Sequence, residues 1–280
     1  MKNILVPIDF SPCSINAFLY AREIAQELGV SLKVVHIYTG NLNASESLVL
    51  RPGKTKHESM ELLLQEFVER ESGNQDTDNT LTKVRVETEA ILAFSITLKL
   101  LKLTTAPDTI MVVMGTNGAG NSLDKMLGSV SSAVAQRAKC PVLLIPRKTR
   151  FRSIGNIMYA SNYQSIQTDN LKQIIDFGKL FEAAMHFVHV EGSDEYEEIE
   201  TTVFDTVFEE EAPGYSFNIV NLKGKSVMQE LNQYAEENHI DLMVLVNHQR
   251  KFIDNLLGLS LTRQMALNIN RPLLVFHFEK

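Results

Sequence analysis

Short apolar runs alternate with amphipathic segments along the whole chain. The first run, Ile4–Ile8, is rich in β-branched residues, as expected of a strand buried on both faces of a parallel sheet. Ser11 and Pro12 then provide a helix cap and a proline at the first helical position, and apolar residues recur at helical spacing until Gly29. A second apolar run, Leu32–Tyr38, follows at once. This order predicts a βαβ unit with a right-handed crossover.

The same alternation continues to the middle of the chain. Residues 39–58 and 71–82 are polar and turn-rich, which is typical of loops. The further elements predicted here are a helix over Ser59–Glu71, an exposed strand around Val84 and Val86, a helix over Ala90–Leu103, a strand over Ile110–Met114, a helix over Ser129–Lys139 and a strand over Val142–Ile145. Strands that alternate with helices predict an α/β domain with a doubly wound, five-stranded parallel sheet.

The pattern then starts again after a short basic join, Arg147–Ser153. A helix is predicted to include Leu171–Leu180, and strands are predicted over Asn156–Ala160, Ala184–Val190, Phe217–Val220, Leu242–Val246 and Leu273–His277. Such an internal duplication predicts two tandem domains, residues 1–147 and 154–280. The length of 280 residues suits two domains of this size.

A glycine-containing loop between a predicted strand and a predicted helix carries the strongest chemical signal. Gly115 and Gly118 follow an apolar run, and Gly128 precedes an Ala-rich segment. Glycines allow close backbone approach, and the first turn of a helix offers unpaired N–H groups, so the join suits a phosphate. We predict that Ser129 caps the helix and that the Ser131 hydroxyl adds a donor. On glycine spacing alone, an ordinary loop with a helix cap is an equal alternative.

Two familiar phosphate-binding loops do not fit this stretch. The chain has no G-x-x-x-x-G-K-[ST] motif, and Leu123 stands where the dinucleotide fingerprint needs a glycine after Gly118 and Gly120. Asp9, Ile37 and Gly115 each come at or just after the carboxyl end of a predicted strand. In a doubly wound sheet these positions meet at one edge, which is where such sheets bind ligands.

The spacing of Gly115, Gly118, Gly128 and Ser129, G-x2-G-x9-G-S, resembles that of the nucleotide-binding branch of the universal stress protein family. The opening ILVPIDFS resembles the first strand of that family and its aspartate, here Asp9. The resemblance implies a Rossmann-like fold of the adenine nucleotide alpha hydrolase type that binds ATP, with Mg²⁺ as an optional companion. The cofactor-binding residues that it implies are Pro7, Ile8, Asp9, His36 and Ile37 on the adenine and ribose side, and Met114, Gly115, Asn117, Gly118, Gly128, Ser129, Val130 and Ser131 on the phosphate side.

The second half departs from this motif. Asn162 stands in the position of Asp9, and residues 225–257 contain no glycine. Leu259 takes the position of Gly128 when the two halves are aligned on Pro141 and Pro272. We therefore expect the second domain to be degenerate and not to bind ATP in the same way.

The net charge of the chain argues against two classes of binding partner. A net charge of −7 and a pI near 5.6 argue against general binding to nucleic acid or to anionic membranes. The first ten residues do not read as a signal peptide, and no apolar run suits a membrane span. Cys13 and Cys140 fit a reducing compartment, so a cytoplasmic location is expected. No metal site is predicted, because the odd separation of His186 and His189 places them on opposite faces of a strand.

These observations lead to a hypothesis and two alternatives. The resemblance implies a nucleotide-dependent stress-response regulator. In this hypothesis, ATP increases the population of one conformation of the protein, and an unknown protein partner recognises that conformation. A homodimer is compatible with this hypothesis. The alternatives are an interaction scaffold that binds no nucleotide, and an enzyme. The sequence shows no defensible catalytic pairing, so at most slow ATP hydrolysis is expected.

Overall fold

The computed structural model describes residues 1–40, 50–73, 84–116, 128–160, 168–191, 207–210, 212–224, 226–248 and 271–278. The chain divides into two compact units, Met1–Phe151 and Arg152–Lys280. Within the described residues, no helix is long and apolar enough to cross a membrane.

The first unit is built on a parallel sheet with strand order β3-β2-β1-β4-β5. Its elements are β1 (Asn3–Pro7), α1 (Pro12–Leu28), β2 (Ser31–Tyr38), α2 (Lys56–Gly73), β3 (Val86–Leu92), α3 (Ile96–Leu103), β4 (Thr109–Gly115), α4 (Ser129–Arg137) and β5 (Val142–Ile145). The inner strands are almost wholly buried, as their β-branched apolar runs predict.

Helix α1 begins and ends where its sequence predicts. The Ser11 hydroxyl accepts a hydrogen bond from the Ser14 N–H at 3.2 Å, and Pro12 occupies the first helical position. Gly29 terminates the helix with φ 63° in the left-handed region, where a residue with a Cβ would be strained. The apolar stripe of α1 packs on the sheet, with Phe18 and Ile24 fully buried. The local signals at both ends of α1 are confirmed.

The predicted start of helix α3 at Ala90 is wrong. Ala90 and Ile91 belong to β3, where they pair with His36 and Ile37 of β2. Helix α3 begins only at Ile96, after Ser95 has capped it by accepting the Leu98 N–H at 3.3 Å. A short apolar run fits a strand as well as a helix, and here pairing with β2 decides between them.

The second unit repeats the topology of the first. Its elements are β6 (Asn156–Ala160), α5 (Thr168–Lys179), β7 (Ala184–Glu191), β8 (Phe217–Lys223), α6 (Val227–Glu237), β9 (Leu242–His248) and β10 (Leu273–Phe278). Its strand order, β8-β7-β6-β9-β10, corresponds strand for strand to that of the first unit, and the pairs are parallel. The predicted fold class, α/β with doubly wound parallel sheets, is confirmed.

Candidate functional site

The carboxyl ends of β2, β1 and β4 lie side by side in the first unit. Strand order reverses between β1 and β4, since β2 and β3 lie on one side of β1 and β4 and β5 on the other. Open α/β sheets bind ligands in the crevice at such a reversal. Asp9 follows β1, Ile37 lies near the end of β2 and Gly115 ends β4, so the structure brings these three residues to one edge.

The turn from β1 into α1 presents Asp9 at this edge. The exposed Asp9 carboxylate accepts a hydrogen bond from the Ser11 N–H at 3.0 Å. Phe10 adopts φ 61°, which is unusual for a residue with a side chain and destabilises the backbone by about 1–2 kcal/mol. Its ring is held between His36, at 4.8 Å, and Phe67, at 5.7 Å. These ring contacts stabilise the strained turn that directs Asp9 outward.

His36 joins the ends of β1 and β2. Its side chain is buried, and its Nδ1 lies 2.8 Å from the carbonyl oxygen of Ile8. Because a carbonyl oxygen only accepts, the hydrogen bond assigns the ring hydrogen to Nδ1. Ile8 is itself buried and donates its N–H to Val35 at 2.8 Å, while Pro7 is half-buried at the end of β1. This adenine side of the predicted site is therefore rigid, and Ile37 beside it is also buried.

Gly115 lies against the first turn of α1. A Cβ atom on Gly115 would stand 2.7 Å from the Sγ of Cys13 and 2.8 Å from its carbonyl oxygen. Real Cβ atoms do not approach backbone atoms so closely, so only glycine fits here. Met114, the preceding residue, is buried in β4. The contact brings the start of α1 directly against the end of β4.

Two hydrogen bonds hold together the ends of the glycine-containing loop. The Gly128 N–H donates to the carbonyl oxygen of Thr116 at 2.7 Å, and the Ser131 hydroxyl donates to the carbonyl oxygen of Gly115 at 2.8 Å. The first turn of α4 therefore starts beside the end of β4. Asn117 and Gly118, which were also predicted to bind the cofactor, lie outside the described residues.

The start of α4 corrects two details of the prediction. Ser129 is the first residue of the helix, and Gly128 precedes it as a cap without a side-chain hydrogen bond. The hydroxyl hydrogen of Ser131 is engaged by Gly115, so this side chain ties the loop together and is not a phosphate donor in this arrangement. What α4 offers an anion is the backbone N–H groups of Ser129, Val130 and Ser131, which have no acceptor within the helix.

No local sequence signal marks three residues that shape this edge: Phe10, Cys13 and Asn16. Phe10 holds the turn, Cys13 fits against Gly115, and the buried Asn16 binds the backbone that follows β5, at Pro146 and Thr149. The partners of Cys13 and Asn16 lie more than a hundred residues away along the chain, so inspection of neighbouring residues could not have found them.

Strand register relates the second unit to this site. In the first unit, Ile4 of β1 pairs with Met111 of β4, and in the second unit, Ile157 of β6 pairs with Leu242 of β9. Gly115 lies four residues after Met111, and Val246 lies four residues after Leu242. Val246 therefore takes the position of Gly115. A valine there does not permit the close backbone approach that Gly115 allows. Asn162, Leu259 and the glycine-free loop after β9 lie outside the described residues. Across the described residues, no three His, Cys, Asp or Glu side chains are grouped in a way that suits a metal ion.

Comparison with known proteins agrees with this geometry. The sequence profile of the universal stress protein family matches residues 1–146, which is more than half of the chain. The chain belongs to the universal stress protein family. A universal stress protein of Mycobacterium tuberculosis is 28% identical in an alignment 155 residues long, which covers 52% of this chain and 49% of that protein. The chain thus spans about half the length of the curated relatives it matches.

Solved structures extend the likeness of fold to both units. A universal stress protein from Archaeoglobus fulgidus has a TM-score of 0.70 and 18% identity, with 98% of each chain covered. A functionally unknown protein from Pseudomonas aeruginosa has a TM-score of 0.59 and 15% identity, covering 99% of this chain and 92% of that one. At such identities the likeness concerns the fold, and function has to be argued from the site.

Proposed function

We propose that the first unit binds ATP at the edge where β1, β2 and β4 end. The observation that carries the proposal is the contact between Cys13 and Gly115. Through this contact, the turn that presents Asp9 and the start of the glycine-containing loop become two sides of one crevice. A base and ribose on one side and a phosphate chain on the other match this arrangement.

The chemistry of each side suits its part of the nucleotide. The Asp9 carboxylate is a strong acceptor for ribose hydroxyls. At the ends of β1 and β2, the buried apolar side chains of Ile8 and Ile37 and the buried ring of His36 form a wall for a base. The N–H groups in the first turn of α4 and the positive end of its dipole attract phosphate oxygens. Mg²⁺ would be carried by the phosphates with few protein ligands, as this ion usually is.

We further propose that the chain is a tandem universal stress protein and that it acts as a nucleotide-dependent switch. ATP binds one arrangement of the chain more tightly than another, and a protein partner recognises the favoured arrangement. The second unit serves as a degenerate companion, because Val246 occupies the position of Gly115. The described strands of the second unit otherwise repeat the topology of the first.

The direct test measures the nucleotide content of the purified 280-residue chain. The protein is denatured, the precipitate is removed, and released nucleotides are quantified by chromatography and mass spectrometry. We expect ATP or ADP at close to one equivalent per chain. Two equivalents would contradict the degenerate role of the second unit. If the protein carries no nucleotide and MgATP causes no thermal shift, the proposed function is rejected.

An Asp9→Asn variant tests the ribose side with little change in structure. The amide oxygen of asparagine still accepts the Ser11 N–H, so the turn is kept while the charge is lost. We expect the Kd for ATP to rise at least about tenfold, which is typical of losing a charged hydrogen-bond partner. The matched control is Asp176→Asn, an exposed aspartate of α5 that pairs with Lys179. An unchanged Kd for Asp9→Asn would remove Asp9 from the site.

A further inference from the structure

A tight turn follows β5 at the same edge as the proposed nucleotide site. The Thr149 N–H donates to the carbonyl oxygen of Pro146 at 3.1 Å, which closes a four-residue turn. Arg147 and Lys148 occupy its two central positions, and both are exposed. We call residues 146–149 the basic turn.

Asn16 of α1 fixes the basic turn in place. Its side chain is buried, and its Nδ2 donates to the carbonyl oxygens of both Pro146, at 3.1 Å, and Thr149, at 2.7 Å. The Oδ1 of Asn16 accepts a hydrogen bond from Arg150. One buried amide thus holds both ends of the turn, so its two cations project from a rigid base.

Neither cation of the basic turn has a partner within the described part of the chain. The side chains of Arg147 and Lys148 form no ion pair and no hydrogen bond there. The protein as a whole carries a net charge of −7, so carboxylates are plentiful elsewhere. Two adjacent like charges repel each other, and a bound anion relieves that repulsion.

The position of the turn indicates which anion this is. The Thr116 N–H donates to the carbonyl oxygen of Ile145 at 3.2 Å, so the last residue of β5 touches the start of the glycine-containing loop. Arg147 is only two residues further, and its Cα lies within about 7 Å of that of Ile145. The cations therefore stand at the same edge of the sheet as the proposed site, next to the end of β4, from which the glycine-containing loop starts.

We propose that the basic turn binds the outer phosphates of the nucleotide and makes affinity depend on the number of phosphates. This inference rests on the proposed ATP site. Arg147 and Lys148 neutralise the β- and γ-phosphates, whereas the N–H groups at the start of α4 hold the phosphate nearest the ribose. AMP lacks the charges that the turn recognises, so the turn favours ATP over AMP.

The experiment compares the binding of ATP, ADP and AMP to the 280-residue chain by isothermal titration calorimetry, at constant Mg²⁺ and at two salt concentrations. The test variant is the double substitution Arg147→Ala/Lys148→Ala. The matched control is Lys2→Ala/Arg85→Ala, which removes one lysine and one arginine from exposed positions just before β1 and β3, at the opposite edge of the sheet.

We expect the double variant to bind ATP at least about tenfold more weakly, to bind AMP within about threefold of the wild type, and to show a smaller salt dependence with ATP. The control should match the wild type for all three nucleotides. If the double variant binds ATP and AMP more weakly by the same factor, or binds both as the wild type does, affinity does not depend on the number of phosphates through the basic turn. The inference is then overturned, while the proposed ATP site stands. If the wild type binds none of the three, both the inference and the proposed function are rejected.

Discussion

The Cβ position of Gly115 lies 2.8 Å from the carbonyl oxygen of Cys13, although the two residues are far apart in the sequence. This approach is a requirement of packing that does not depend on a ligand. It fixes how closely the start of α1 approaches the end of β4, at the edge where the nucleotide is proposed to bind. A change at Gly115 therefore alters the fold before it alters binding.

Replacing Gly115 by alanine should destabilise the first unit by about 1–3 kcal/mol, as overpacking of a tight contact usually does. The clash involves the backbone carbonyl of Cys13 as well as its Sγ, so adding Cys13→Ala should not restore stability. Urea denaturation monitored by circular dichroism measures both variants. Full recovery in the double variant would show that only the thiol stands in the way.

Gly73→Ala is the matched control for this substitution. Gly73 ends α2 in the same unit, and nothing lies within 4 Å of its Cβ position. Its alanine variant should unfold within about 0.5 kcal/mol of the wild type, as surface substitutions usually do. A similar loss of stability in both variants would point to a general effect of the Gly→Ala change.

Removing the hydroxyl of Ser131 should loosen the joint between β4 and α4. The Ser131 hydroxyl donates to the carbonyl oxygen of Gly115 in a buried position, and such a hydrogen bond contributes about 0.5–1.5 kcal/mol. Ser131→Ala should therefore lower the free energy of unfolding by that amount, measured by urea denaturation, and also weaken ATP binding.

Ser132→Ala is the matched control for the Ser131 variant. Ser132 is the next residue of α4 and is only half-buried, and its hydroxyl accepts a hydrogen bond from the Gln136 side chain of the same helix at 3.3 Å. A side-chain pair at this helical spacing contributes about 0.2–0.5 kcal/mol, so the control should lose less stability and keep its affinity for ATP. Equal losses in the two variants would contradict the role of Ser131.

The sequence predicts the elements of this fold well because most of their signals are local. Buried β-branched runs, the Ser11 cap and the Gly29 stop all act within a few residues, and the structure confirms them. The error at Ala90 has a different origin, because pairing with β2 overrides an apolar run that suits either element.

The candidate site depends more on contacts that are distant in sequence. Gly115 can be identified as special from its spacing, but the reason for glycine is the backbone of Cys13. The left-handed Phe10 is stabilised by rings from β2 and α2, and no local pattern predicts it. The Ser131 hydroxyl was predicted to donate to a phosphate, but it donates to the carbonyl oxygen of Gly115 in β4. This contact between distant residues cannot be predicted from the local sequence.

Substitution of Asn16 should release the basic turn. Asn16→Ala leaves the carbonyl oxygens of Pro146 and Thr149 without their amide donor in a part-buried position. We expect a loss of about 1–3 kcal/mol in the free energy of unfolding. We also expect faster cleavage by trypsin after Arg147 and Lys148, because protease access requires local opening. Glu27→Ala, an exposed change on the same helix, is the control. Unchanged cleavage rates would contradict the role of Asn16 in holding the basic turn in place.

Burial of Cys140 should make stability depend on alkaline pH. Burial raises the pKa of the Cys140 thiol from 9.0 to about 12. Between these values the unfolded chain loses the thiol proton and the folded chain keeps it, so stability is complete below pH 9 and falls as pH rises towards 12. At pH 10.5 the loss amounts to about 2 kcal/mol. Cys140→Ala removes this contribution, and the difference between wild type and variant in urea denaturation at pH 8 and 10.5 measures it. Parallel pH profiles would contradict the prediction.

The second unit should lose stability at acid pH, whereas the Cys140 effect appears at alkaline pH. The residue responsible is His186 of β7. Its buried ring lies with Nδ1 2.8 Å from the hydroxyl of Tyr234 on α6, and burial lowers the pKa of His186 below the ordinary 6.5. Below pH 6.5 the unfolded chain binds a proton on this histidine that the folded chain resists, so stability is lost as pH falls through that range.

A His186→Gln variant separates this effect from the titration of carboxylates. Glutamine keeps a polar group within reach of Tyr234 but does not titrate, so the variant should lose less stability than the wild type between pH 7.5 and 5.5. Thermal unfolding followed at both pH values gives the comparison. His239→Gln, in the loop after α6, is the control, and it should follow the wild type. Because desolvation of the charged ring is the stated cause, equal losses of stability in the wild type and in His186→Gln between pH 7.5 and 5.5 would contradict the prediction.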